Sequence, residues 1–184
     1  MSNTNLSRRR WLSLGGIMLG ASLLPNLASA IVSTPKPMIL RIYNINTGEK
    51  LDASHTGGNF SGAALAKLNY IMRDRRTNQV RRIDPRLFLK LTQIQSRLGM
   101  RNSEIQLVSG YRSAQTNARL RSHSVGVASN SYHIQGMAMD FYIEGVSLAK
   151  IRSTAESLNN GGVGYYPRSN FVHVDTGPVR TWNG

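Results

Sequence analysis

The chain has 184 residues, 40% hydrophobic and 17% charged, which suits one globular domain around a single core and excludes a disordered or membrane-embedded protein. It contains no cysteine, so disulfides, thiolate metal sites, a cysteine nucleophile and a lipoprotein anchor are all ruled out, and any metal must be held by His, Asp or Glu. With 23 Lys and Arg against 9 Asp and Glu the net charge is +14, a field that either favours an anionic partner or serves solubility alone.

The chain opens with an export signal, residues 1–30. "NLSRRRWLSLGGIMLGASLLPNLASA" joins a basic start to a mild apolar stretch and the small-residue ending Ala28-Ser29-Ala30, which predicts cleavage after Ala30 and a domain over 31–184. Gly15, Gly16, Gly20 and Pro25 interrupt the apolar run, so no stable membrane anchor is expected. Ser7, Arg8, Arg9, Arg10, Trp11 and Leu12 resemble the twin-arginine pattern of bacterial proteins exported already folded, and the expected location is the periplasm. The signal takes three arginines and no acid, leaving 20 basic residues against 9 acidic ones and a net of +11. An exported protein of that charge meets cell-wall polymer and membrane surface. Nucleic acid is not expected as a partner, because no RNA-binding pattern or helix-turn-helix spacing accompanies the charge.

"IVSTPKP" reads as an extended lead-in, and "MILRIYNINTGEKL" as a hairpin turning at Asn46-Thr47-Gly48. Leu65, Leu68, Ile71 and Met72 recur at helical spacing, and "DPRLFLKLTQIQSRLG" supplies Asp84 as N-cap, Pro85 at the first helical position and Gly99 as a stop. Between the two helices "RDRRTNQVRR" is strongly basic, either a solvated helix end and loop or a binding patch. "EIQLVSGYRS" predicts a strand running into a turn, "SAQTNARLRSHS" a short helix capped by Ser113, and "GMAMDFYI" a strand. "SLAKIRSTAESLNN" predicts a helix capped by Ser147 and ended by Gly161-Gly162. "GVGYY" and "FVHVD", joined by Pro167-Arg168-Ser169-Asn170, predict an antiparallel pair. The expected fold is a single α+β domain, helices first and a mostly antiparallel sheet later.

Asp140 closes a short apolar run and, if that run is a strand, shares a face with Ala138 and Tyr142 while Met139 and Phe141 point the other way. A buried carboxylate there needs a partner. His133 reaches it only if the chain folds back, since seven extended residues span about 24 Å, and Gly136 offers the place to turn. In "FVHVD" the same parity sets His173 and Asp175 opposite Val172 and Val174. His133, Asp140 and His173 make a two-histidine, one-carboxylate set suited to catalytic zinc with one position left open to water. By spacing alone, a hydrogen-bonded core histidine and a structural salt bridge explain the same residues.

The runs "SGYRS", "SYHIQGMAMDF" and "GVGYYPRSNFVHVDTG" together resemble the M15 family of zinc peptidases and, within it, the exported murein endopeptidase K group. The resemblance implies an antiparallel sheet flanked by helices, zinc held by His133, Asp140 and His173, and hydrolysis of amide bonds in peptidoglycan cross-links. It also implies that Arg112 holds a substrate carboxylate or polarises the scissile carbonyl, work suited to a permanently charged, paired donor. Many M15 members carry an acid three residues before the last histidine as general base, where this chain has Asn170. Asp175 is the candidate in its place, either as base or as the residue that orients the His173 imidazole. The missing acid leaves room for a second reading, a zinc-containing module that binds peptidoglycan without cleaving it. His123 is a weaker candidate, His55 reads as a loop residue, and Tyr132, Tyr142, Tyr165 and Tyr166 either line a groove or pack beside strands.

Overall fold

A computed structural model describes residues 37–123 and 128–184, so the predicted export signal, residues 31–36 of the expected extended lead-in and the 124–127 segment lie outside the described residues. Their strands form one eight-stranded sheet. Strand β1 (Met38–Asn44) and strand β2 (Lys50–Thr56) are the predicted hairpin, paired antiparallel from Met38 opposite His55 to Tyr43 opposite Lys50. A two-residue strand, β3 (Asn59–Phe60), extends it. His55 therefore lies in β2 rather than in a loop, buried, with its Nδ1 accepting the Gly58 N–H at 3.1 Å.

Helix α1 (Gly62–Ile71) begins at Ser61, whose hydroxyl accepts the Ala64 N–H. Helix α2 (Pro85–Arg97) has the predicted start and stop: Asp84 accepts the Arg86 N–H, proline takes the first position, and Gly99 follows the end at φ +70°. Its Leu87, Phe88, Leu91 and Ile94 are buried, and each contributes about 1.5–3 kcal/mol on removal from water. Strand β4 (Glu104–Ser109) precedes helix α3 (Ala114–His123), where Ser113 caps the Thr116 N–H as expected and His123 ends the helix exposed.

Besides β3, two further short elements escaped the sequence reading. Helix α4 (Tyr132–Gln135) is a single turn, capped at its start by Ser131 and at its end by Gly136 in the left-handed region, a conformation that favours glycine. Strand β8 (Arg180–Asn183) lies at one edge of the sheet. Between them come β5 (Ala138–Ile143), helix α5 (Leu148–Glu156), β6 (Gly162–Tyr166) and β7 (Phe171–Asp175). Helix α5 ends at Glu156 with Ser157 as its C-cap, and Asn159 takes the left-handed conformation just beyond. The expected stop at Gly161-Gly162 is thus displaced, and Gly162 belongs to β6.

The strand order is β3-β2-β1-β4-β5-β7-β6-β8, antiparallel except for β1 beside β4 and β6 beside β8. Strands occur at both ends of the chain, so the helices-first expectation gives way to a sheet assembled from both halves. Met139, Phe141, Val172 and Val174 join one apolar cluster with the buried stripe of α2 and with Ile151 and Ala155 of α5. The opposite parity of β5 and β7 carries Asp140, Tyr142, His173 and Asp175 beside Ala138 and Phe171.

Candidate metal centre

Strands β5 and β7 pair with Asp140 directly opposite His173. Helix α4 turns the chain back so that His133 comes down on the same pair, and Gly136 packs so closely that a Cβ there would sit 2.6 Å from the Arg82 carbonyl oxygen. His173 Nδ1 lies 2.8 Å and His133 Nε2 3.1 Å from Asp140 Oδ1, and the two ring nitrogens are 3.2 Å apart. One ligand atom from each residue thus falls within 4.8 Å of the others, and all three side chains are buried.

The far side of each imidazole fixes which nitrogen faces inward. His133 Nδ1 is 2.7 Å from the Gly110 carbonyl oxygen, which only accepts, so Nδ1 carries the hydrogen and Nε2 presents a lone pair. His173 Nε2 is 3.0 Å from Asp175 Oδ2, and Asp175 is fully buried. Burial alone would raise the Asp175 pKa, but the contacts from His173 and Arg180 outweigh it and hold the carboxyl well below the usual range. An ionised Asp175 receives the Nε2 hydrogen of His173, which points Nδ1 inward.

Asp140 is held ionised in the same way: burial works against its charge, while His133, His173 and Arg112 more than offset it. Burial lowers the pKa of His133. At His173 burial is outweighed by hydrogen bonds to Asp140 and Asp175, which raise it. Two inward imidazole nitrogens and a carboxylate oxygen therefore meet at hydrogen-bond distance with at most one proton among them. Such a buried cluster could hold a metal ion, and imidazole with carboxylate is a donor set that suits zinc.

A bulge brings the next residue into place. The β4–β5 register slips by one between Leu107 and Ser109, which sets Ser109 opposite Asp140 and re-aims the chain beyond it. Arg112 then donates from Nε to Ser109 Oγ at 2.9 Å and from Nη2 to Asp140 Oδ2 at 2.5 Å. The guanidinium thus holds one Asp140 oxygen while the histidines share the other. Its backbone N–H also bonds the His133 carbonyl, tying the "SGYRS" segment to α4.

Asp175 stands behind the site. Its Oδ1 accepts from the backbone N–H groups of Gly162 and Gly177 and from Arg180, and its Oδ2 from His173 and, at 2.6 Å, Arg180. Asn170 is an exposed turn residue in the left-handed region, at φ 57° and ψ 45°, where Asn is tolerated better than other side chains with a Cβ. Arg180, Trp182 and Ser109 are site residues that the sequence reading missed. The only signal for the first two was the alternation in "VRTWN", which is weak in so short a run.

Trp182 lies over Gly164 with its ring 5.1 Å from that of His173, and its Nε1 donates to the Tyr166 hydroxyl, while Tyr166 stacks on Phe171 at 4.5 Å. Tyr132 lies under Arg180 at 4.8 Å, whereas Tyr165 packs against the core. Tyr165 thus takes the packing role, and none of the four tyrosines is among the residues that line the cleft beside Asp140.

A family model described as peptidoglycan L,D-endopeptidase MepK, of the M15 peptidases, matches residues 32–182. The chain belongs to this family. It is 61% identical over 185 residues to the probable peptidoglycan L,D-endopeptidase MepK of Haemophilus influenzae, covering all of both chains. It is 52% identical over 183 residues to the peptidoglycan L,D-endopeptidase MepK of Escherichia coli K12, across 99% of this chain and all of the relative. No solved structure gives a significant match. Family membership makes the protein a peptidase of the M15 type, and the fold agrees with the one that the sequence resemblance implied.

Proposed function

We propose that the protein is a zinc-dependent endopeptidase that hydrolyses L,D amide bonds in peptidoglycan cross-links outside the cytoplasm. The observation that carries the metal is the meeting of His133 Nε2, His173 Nδ1 and Asp140 Oδ1 with too few protons between them. Bound there, zinc supplies Lewis acidity and a nucleophilic water at neutral pH. The chain's own residues hold and aim it. Gly110 and Asp175 fix the tautomer and plane of the two imidazoles, and Arg112 keeps Asp140 from turning.

Arg112 has a second task under this reading. Its Nε and Nη2 are engaged but its side chain still reaches the surface of the cleft beside Asp140. Under this reading its remaining guanidinium hydrogens hold the scissile carbonyl or a neighbouring carboxylate as charge develops. Asp175 serves as the positioning residue for His173 rather than as the base, because a fully buried carboxylate with five donors around it has no path to an attacking water. Asn170 carries no titratable group.

Export as a folded protein through the twin-arginine route, with cleavage after Ala30, is part of the same proposal and rests on residues 1–30 of the sequence. The deciding experiment joins metal analysis of the purified protein to a digest of cross-linked muropeptides. Loss of dimers by the zinc-loaded protein, absent in His133→Ala and His173→Ala variants that also lack metal, is the expected result. Full activity in either variant rejects the site. Intact dimers at full metal occupancy would leave the binding module that Asn170 first suggested.

A further inference from the structure

Beside Asp140 and Arg112 the surface opens into a cleft of about 260 Å³. The basic segment between α1 and α2 also lines it, contributing Arg73, Arg75 and Arg76. Arg73 is neutralised by Glu49, at 2.9 Å from Nη1 and 3.1 Å from Nη2, and Arg112 by Asp140. Arg75 and Arg76 are exposed, and among the described residues neither side chain has an acidic partner.

These two arginines do not sit on a free loop. Asp74 is buried beneath them and accepts the N–H of Arg76 at 2.9 Å and that of Ser113, the residue after Arg112, at 2.8 Å. Burial opposes its charge, but the Ser113 and Thr116 contacts with the backbone donors hold its pKa well below the usual range. The Tyr111 N–H also bonds the Met72 carbonyl, and the Asp74 N–H closes the loop on Gln79. One buried carboxylate therefore ties the backbone at Arg76 to the segment that carries Arg112, and both segments line a cleft that reaches Asp140. A merely solvated basic loop has no need of such an anchor.

We propose that Arg75 and Arg76 form a carboxylate subsite that holds a free carboxylate of the substrate stem peptide while its amide bond lies at His133, Asp140 and His173. The subsite rests on the peptidoglycan reading above and gives the basic segment a task in substrate choice. Guanidinium groups match carboxylates with paired donors, and cross-links built on diaminopimelate keep a carboxylate free close to the bond that is cut.

The test separates the two claims by using a ligand that needs no hydrolysis. The zinc-loaded protein and its R75Q/R76Q variant are titrated with a stem tetrapeptide containing meso-diaminopimelate and with the same peptide bearing amidated carboxylates. Binding of the acidic peptide is expected to weaken at least about tenfold in the variant, with a shallower dependence on salt, while the amidated peptide binds both proteins equally. Equal binding of the acidic peptide, or an equal loss for the amidated one, overturns the subsite. Hydrolysis of dimers by the unmodified protein is read separately and bears on the proposed function alone.

Discussion

Replacing Asp175 with Asn keeps the shape of the side chain and removes one charge, and the surroundings leave the amide no good orientation. Oδ1 receives the N–H groups of Gly162, Gly177 and Arg180, and Oδ2 those of His173 and Arg180. Whichever way the amide turns, its NH2 faces donors. Breaking a buried ion pair by removing one partner costs about 3–5 kcal/mol. Arg180 is 38% exposed, so the lower end, about 3 kcal/mol, is the fitting figure. For a domain of this size that lowers Tm by about 6–12 °C. Loss of the acceptor that orients a metal-binding imidazole should in addition weaken metal binding by about 10–100-fold. Thermal unfolding and competition with a chelator measure the two effects, and hydrolysis at saturating zinc is then expected to recover in large part. A variant that binds zinc as tightly as the parent yet stays inactive when saturated would refute the positioning role and make Asp175 the base.

Gly164→Ala would place a Cβ 2.6 Å from the Trp182 ring. The indole must move off His173 and Tyr166, with a stability loss of about 1–3 kcal/mol by overpacking and a changed tryptophan fluorescence spectrum; an unchanged spectrum would mean that the ring does not rest there. Lys90 is buried on α2 and donates to the carbonyl oxygens of Asn160, Gly162 and Asp175. Desolvation is the largest influence on it and lowers its pKa from 10.5 to about 8. The unfolded chain therefore binds more protons than the native one between those values, and this group's contribution to stability rises with pH across that window. Urea midpoints of the parent relative to Lys90→Met should diverge upward in pH over the same range, and a pH-independent gap would show that the amine is not strained by burial.

Local chemistry carried most of the elements. Asp84, Pro85 and Gly99 frame α2 because a cap, a fixed φ and a left-handed stop act within a few residues. The alternation in "MAMDFYI" and "FVHVD" decided which side chains leave the core, since strand parity is a property of the backbone itself. That parity, with a glycine at 136, made His133, Asp140 and His173 candidates to meet, the resemblance named them together, and the structure brings them together. What remained illegible depends on contacts far apart in the chain. Strand β8 was missed because four residues give too short a pattern, and it is held as a strand only by pairing with β6. The α5 stop was misplaced because Gly162 is needed where Arg180 and Asp175 crowd its Cα.

The sequence by itself determined the absence of thiol chemistry and the strands that present Asp140 and His173, and with the family resemblance it named His133, Asp140 and His173 as the candidate donors. Only the tertiary structure decided how those donors are used. It shows which nitrogen of each ring turns inward, because the acceptors that choose are Gly110, 23 positions from His133, and a deeply buried Asp175. It joins Arg112 to Asp140 through a bulge that no periodicity reveals. It also brings the first four residues of "RDRRTNQVRR" to the cleft while Asn78 to Arg82 stay exposed, because the hydrogen bond from Ser113 to Asp74 spans 39 positions of the chain. Propensity and parity are local, whereas tautomer choice, charge pairing and cleft shape arise where distant segments meet.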